Sequence, residues 1–216
     1  ELTSEEERKL LAWIEEGAVM EGDTDPLKEM GPPEDLGWQL GEPDLVLQLP
    51  KEEDIPAEGV VDYRYRYVAT GLTENKWIKG MQVKPTNLRV LHHALLFVIY
   101  PREWRHIQPE VRSGLSGYFG SYLPGGKVDF YPEDTGQFLP AGSYIVFQMH
   151  YNATGRPETD QTKVGLYFHD EPPARALQMV AAYDTDFTIP PKEEVHPVRA
   201  ELTFDREVEL LGASPH

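Results

Sequence analysis

The stretch LHHALLFVIY, Leu91 to Tyr100, sets two adjacent histidines at the head of an almost wholly apolar run. Such a run reads as a strand apolar enough to be buried. Successive side chains on a strand point to opposite faces, so a regular strand would send one of the two imidazoles into the core. Burying uncompensated imidazoles is costly, which calls for compensation. A bulge or strand end can turn both rings to one side. His150, in the apolar run VFQMHY, lies on a second strand that can pair with the first. Three neutral imidazoles in a chain with no cysteine suit copper or zinc, and the order of affinities favours copper(II).

Outward from this pair, strands are expected at 45–49, 62–70, 76–85, 89–100, 143–152, 163–168, 176–183 and 198–214, most of them short, and bounded by Gly, Pro or Asn. The spacing indicates a mainly β protein, an antiparallel sandwich or jelly roll. The segment from Arg102 to Gln137 is less regular, with room for a short helical turn and a Pro-Gly-Gly turn near its end. At the amino terminus, Ser4 and Glu7 have capping-box spacing, and Leu10, Leu11, Ile14 and Ala18 follow at helical intervals, so a helix over 4–16 ended by Gly17 is expected. An acidic stretch rich in Pro and Gly then places a boundary near residue 38. The resulting organisation is 1–37, helix and linker; 38–182, the His-bearing sandwich; and 183–216, the start of a second sandwich.

A net charge of −17 would repel a phosphate backbone, and no basic cluster offsets it, so nucleic acid is not an expected partner. No apolar run approaches the roughly 20 residues that span a bilayer as a helix. The chain opens on Glu1 with no signal-peptide pattern, as expected of a mature or trimmed product. The absence of cysteine excludes disulfides, thiol nucleophiles and covalently attached c-type haem within these residues. Hydrolase and nucleotide-binding signatures such as GxSxG or a P-loop are not found. His106, His169 and His196 stand in polar or Pro-flanked settings that suit ordinary surface histidines. In YRYRYV, alternation puts Tyr63, Tyr65 and Tyr67 on one face and Arg64 and Arg66 on the other. The expected arrangement is tyrosines inward and arginines in solvent.

LHHALLFVIY together with LPAGSYIVFQMHYNATGRPETDQTKVGLYF, Leu139 to Phe168, resembles the amino-terminal half of the copper type II, ascorbate-dependent monooxygenases, the family of peptidylglycine alpha-hydroxylating and dopamine beta-monooxygenases. Bacterial relatives share the QMHY, GxPETD and VGLYF elements, and the likeness runs over residues 38–216. The resemblance implies that His92, His93 and His150 bind one copper, which holds and delivers an electron. It implies a second, oxygen-activating copper on an HxH motif and a distant Met in a second sandwich. IPPKEEVHPVRAELTFDREVELLGASPH resembles the entry to that domain, with His216 on the first His of HxH.

LTSEEERKLLAWIEEGAVMEGD resembles the last helix of a bacterial c-type cytochrome domain. It implies an upstream haem domain feeding electrons to copper in place of ascorbate, while the resemblance to the copper monooxygenases implies a small-molecule or peptide substrate and a periplasmic or extracellular setting. Because the second His and the Met of the second site are not among these residues, two expectations stand. Either the polypeptide continues past His216, or the chain is a copper protein without the hydroxylation chemistry. Two other readings remain: a non-catalytic sandwich serving as an interaction or structural module of an exported assembly, and a sugar-binding sandwich using Tyr63, Tyr65, Tyr67 or Trp77.

Overall fold

The computed structural model describes residues 2–19, 37–104, 117–125, 129–180, 182, 184 and 186–213. His106, His216 and most of the expected linker, 20–36, lie outside them. The chain divides into two units, Glu1–Gly37 and Trp38–His216. The first holds helix α1 (Ser4–Glu15), whose capping box is formed by Thr3 and Glu6 rather than by Ser4 and Glu7. The Thr3 hydroxyl accepts from the Glu6 backbone N–H at 3.3 Å, and Glu6 Oε2 accepts from the Thr3 N–H at 2.7 Å. Both pairs have the right spacing, and the earlier start places Glu5, Glu6 and Glu7 in the first turn, at the positive end of the helix dipole. No helix of the described residues is long and apolar enough to cross a membrane.

The second unit is built from strands β1 (Leu45–Gln48), β2 (Glu53–Ile55), β3 (Arg64–Ala69), β4 (Lys76–Lys84), β5 (Leu91–Ile99), β6 (Tyr118–Tyr122), β7 (Asp129–Phe130), β8 (Thr135–Leu139), β9 (Tyr144–Tyr151), β10 (Glu158–Asp160), β11 (Lys163–Phe168) and β12 (Arg175–Ala176). One sheet runs β1-β11-β4-β8-β12 with β7 also beside β4; a second runs β3-β9-β5-β6; β10 and β2 form a small third. Every pairing is antiparallel except the two-residue contact of β12 with β8. Leu47, Ile78, Met81, Val164 and Leu166 of the first large sheet and Leu91, Leu96, Ile145, Phe147 and Met149 of the second belong to one buried cluster. A Cβ on Gly120 of β6 would lie 2.0 Å from Met81 Cε of β4, so the Met81 side chain packs directly against the Gly120 backbone where the two sheets meet.

Several of these strands escape pattern reading. β8 is buried along its whole length although it contains Gly136 and Gln137. The Gln137 amide is satisfied there, accepting from Tyr131 Oη at 2.9 Å and donating to the Phe119 carbonyl at 3.1 Å. Conversely, among the described residues the strand expected over 176–183 is reduced to Ala176, and none forms among 198–213. Val198, Leu202, Phe204, Val208 and Leu210 keep period-2 alternation but are exposed. Alternation makes a strand only when a neighbour completes its backbone hydrogen bonds.

The face assignment expected for YRYRYV is reversed. Tyr63, Tyr65 and Tyr67 are 49, 47 and 60% exposed, while Arg64 and Arg66 turn onto Glu53, which is only 2% exposed. Arg64 Nη1 donates to Glu53 Oε2 at 2.9 Å, and Arg66 donates from Nε to Oε1 at 2.5 Å and from Nη2 to Oε2 at 2.8 Å. Alternation says which residues share a face; the buried carboxylate decides which face goes in.

Burial by itself would raise the Glu53 carboxyl, but the hydrogen bonds and charges of Arg66 and Arg64 outweigh it and hold the group below its ordinary 4.5. A carboxyl lowered in the folded state adds stability that is complete above the unfolded value and fades as pH falls through the folded one. In urea melts, the wild-type midpoint should therefore drop below about pH 4.5, and Glu53→Gln should flatten that part of the pH dependence. Glu53→Ala, which strands two inward cations, should cost about 3–5 kcal/mol at pH 7.

Candidate metal centre

The two central strands of the second sheet turn one face to the core and carry the histidines on the other. On β9, Ile145, Phe147, Met149 and Tyr151 face the core at no more than 1% exposed, and Tyr144, Val146, Gln148 and His150 share the outer face. Across from them on β5, Leu96 pairs with Phe147, Ala94 with Met149, His93 with His150 and Leu91 with Tyr151. Between Leu91 and His93 the register slips, so His92 is the extra residue of a β-bulge. Counted back along an unbroken strand from Ala94, His92 would enter the core and Leu91 would leave it. The bulge returns Leu91 to 2% exposure and leaves both imidazoles outside the core, opposite His150.

The three rings converge. Their centroids lie 5.2 Å apart for His92 and His93, 5.0 Å for His92 and His150, and 4.9 Å for His93 and His150. One nitrogen from each lies within 4.8 Å of the others, which makes these residues a candidate metal-binding group among the described residues. The Nδ1 atoms of His92 and His93 are 3.0 Å apart. Two nitrogens each 2.0–2.1 Å from one tetrahedral ion would be about 3.4 Å apart, close to that separation. The Nδ1 of His150 is buried and has no hydrogen-bond partner. A desolvated polar atom left unpaired costs free energy, and a cation held by the three rings would supply the missing partner. Neutral nitrogen donors without thiolate suit copper or zinc, so the donor set fits the expected ion.

Burial, reinforced by the neighbouring His92, lowers the pKa of His150 below its ordinary value. That keeps the ring in the neutral form that ligates metal. His92 is exposed and His93 is 9% exposed, so the group is open to solvent on the His92 side. Tyr63 lies on the other flank, its ring stacked on His150 at 4.6 Å and 27°. Next along the outer face, Gln148 Nε2 donates to Tyr65 Oη at 2.8 Å.

Three of the four expected ligands therefore come together, while His216 lies outside the described residues. His169 Nε2 lies 2.8 Å from the Thr135 carbonyl, which satisfies it, and the His196 ring lies 6.1 Å from Phe187; neither joins the cluster. Tyr63 is the contributor that pattern reading missed, because its alternation partners were assigned to the core. Comparison with protein-family models, curated proteins and solved structures finds no match to the chain.

The bulge generates a prediction that separates site from fold. Deleting His92 makes β5 regular with Leu91 still inward, so cooperative urea unfolding should persist while metal affinity, measured by competition with a chelator, falls by at least about tenfold. His150→Ala should abolish metal retention through exhaustive dialysis, as read by elemental analysis.

Proposed function

We propose that residues 38–182 hold one copper ion on His92, His93 and His150, and that this site stores and delivers an electron in a monooxygenase-like oxidoreductase of the copper type II family. The observation that supports it is the β-bulge, which sets two consecutive imidazoles against a third whose buried Nδ1 has no partner. Copper on such a site supplies a one-electron couple. The chain's part is to present neutral nitrogens from two rigid paired strands, so that little rearrangement accompanies a change of charge.

In this reading, oxygen-dependent hydroxylation takes place at a second copper in a longer polypeptide, for which His216 contributes the first ligand and 183–216 the entry to the second sandwich. The electron donor is ascorbate or a cytochrome domain, the substrate a small molecule or peptide, and the setting periplasmic or extracellular. One observation favours a second reading, a carbohydrate-binding sandwich: Tyr63, Tyr65 and Tyr67 are exposed in a row. The retardation of the chain in polysaccharide gels, and its loss in Tyr67→Ala, would carry that reading instead.

Reconstituted with copper(II) and dialysed, the chain should retain one copper and give a type II EPR signal; an absent signal or undiminished copper in His150→Ala would overturn the assignment. Because protons compete with the metal for imidazole nitrogen, affinity should fall more than about tenfold from pH 7.5 to pH 5.

A further inference from the structure

We infer that Tyr63 is a positioning residue of the metal centre, its ring clamping the His150 imidazole in the plane that ligation requires; this rests on the copper reading above. The Tyr63 ring stacks on His150 with centroids 4.6 Å apart and 27° between planes, and reaches His93 at 5.8 Å and 51°. At 49% exposed, it turns one side to the histidines and the other to solvent.

Metal-binding histidines are ordinarily oriented by a hydrogen bond to the ring nitrogen that faces away from the ion. Among the described residues no hydrogen bond reaches the His150 ring to orient it, and its buried Nδ1 is the atom left for the ion. The aromatic stack takes over that task. It restricts rotation of the imidazole about its own axis and shields one face from water, leaving the edge free to ligate.

The placement of Tyr63 is itself secured from the core side. Arg64, the next residue, registers opposite Met149 on β9, which sets Tyr63 beside His150 across the strand pair. Arg64 is held by Glu53 at 2.9 Å and by the Asp54 carbonyl at 2.8 Å, and its guanidinium lies 5.6 Å from the centre of the Tyr151 ring. A buried ion pair therefore fixes the backbone from which the clamp projects.

The test uses the full chain loaded with copper(II), comparing wild type, Tyr63→Ala, Tyr63→Phe and Tyr65→Ala. Release of copper to EDTA should be about threefold to tenfold faster in Tyr63→Ala, with an altered EPR spectrum. Tyr63→Phe keeps the ring and should match wild type, as should Tyr65→Ala, which removes a neighbouring exposed tyrosine without touching the histidines. In the metal-free chain, imidazole NMR should show the His150 ring signals displaced in Tyr63→Ala alone. Wild-type release and spectra in Tyr63→Ala, or a Tyr63→Phe variant as impaired as Tyr63→Ala, would overturn the clamp while leaving the copper site standing. A wild-type chain that takes up no copper overturns both.

Discussion

The rest of the site depends on one extra residue between Leu91 and His93. Without it, core packing and histidine convergence are incompatible demands on the same strand, because a regular strand with Leu91 inward would bury His93 and one with Ala94 inward would bury His92. The slip at His92 lets Leu91 pack beside Tyr151 while His92 and His93 both stand against His150. Bulges locally disrupt a ladder, and one at the end of a central strand disturbs few backbone bonds. A small interruption in pairing thus yields a cluster of three nitrogen donors at the end of two largely apolar strands.

A second constraint works from the opposite side of the same sheet. Glu53 is buried, and a buried carboxylate must be paired and hydrogen-bonded. Arg64 and Arg66 meet that requirement, and in doing so they turn β3 over, so that its tyrosines face outward beside the histidines. The same need for satisfaction organises the neighbouring loops. Asp160, with no exposed surface, accepts from the backbone and hydroxyl of both Thr86 and Thr162 and from Tyr151 Oη. Tyr151 stands between these two carboxylate centres, its hydroxyl on Asp160 and its ring under Arg64. The packing that supports the outer face is therefore as much electrostatic as apolar.

What could be read in advance differs by element for physical reasons. KVGLYF forms β11 over Lys163–Phe168 as expected, and the expected strands around Trp77, Phe97 and Phe147 form with ends shifted by a few residues. These segments concentrate apolar side chains between clear breakers, so local pattern and burial agree. β2, β7 and β10 are too short to show a period, and they exist because a neighbouring strand completes their bonds. The alternation over 198–210 illustrates the converse, since a pattern without a pairing partner among the described residues remains irregular.

The amino-acid sequence alone determined the β class, the positions of the long core strands and the identity of the three histidines, because burial cost marks apolar strands and sets uncompensated imidazoles apart within them. Tertiary structure alone decided that His92 is the bulged residue, that the tyrosines of β3 face outward, and that Tyr63 stacks on His150. Period-2 alternation is symmetric between the two faces of a strand. Only the pairing of β5 with β9, and of Glu53 with its arginines, breaks that symmetry.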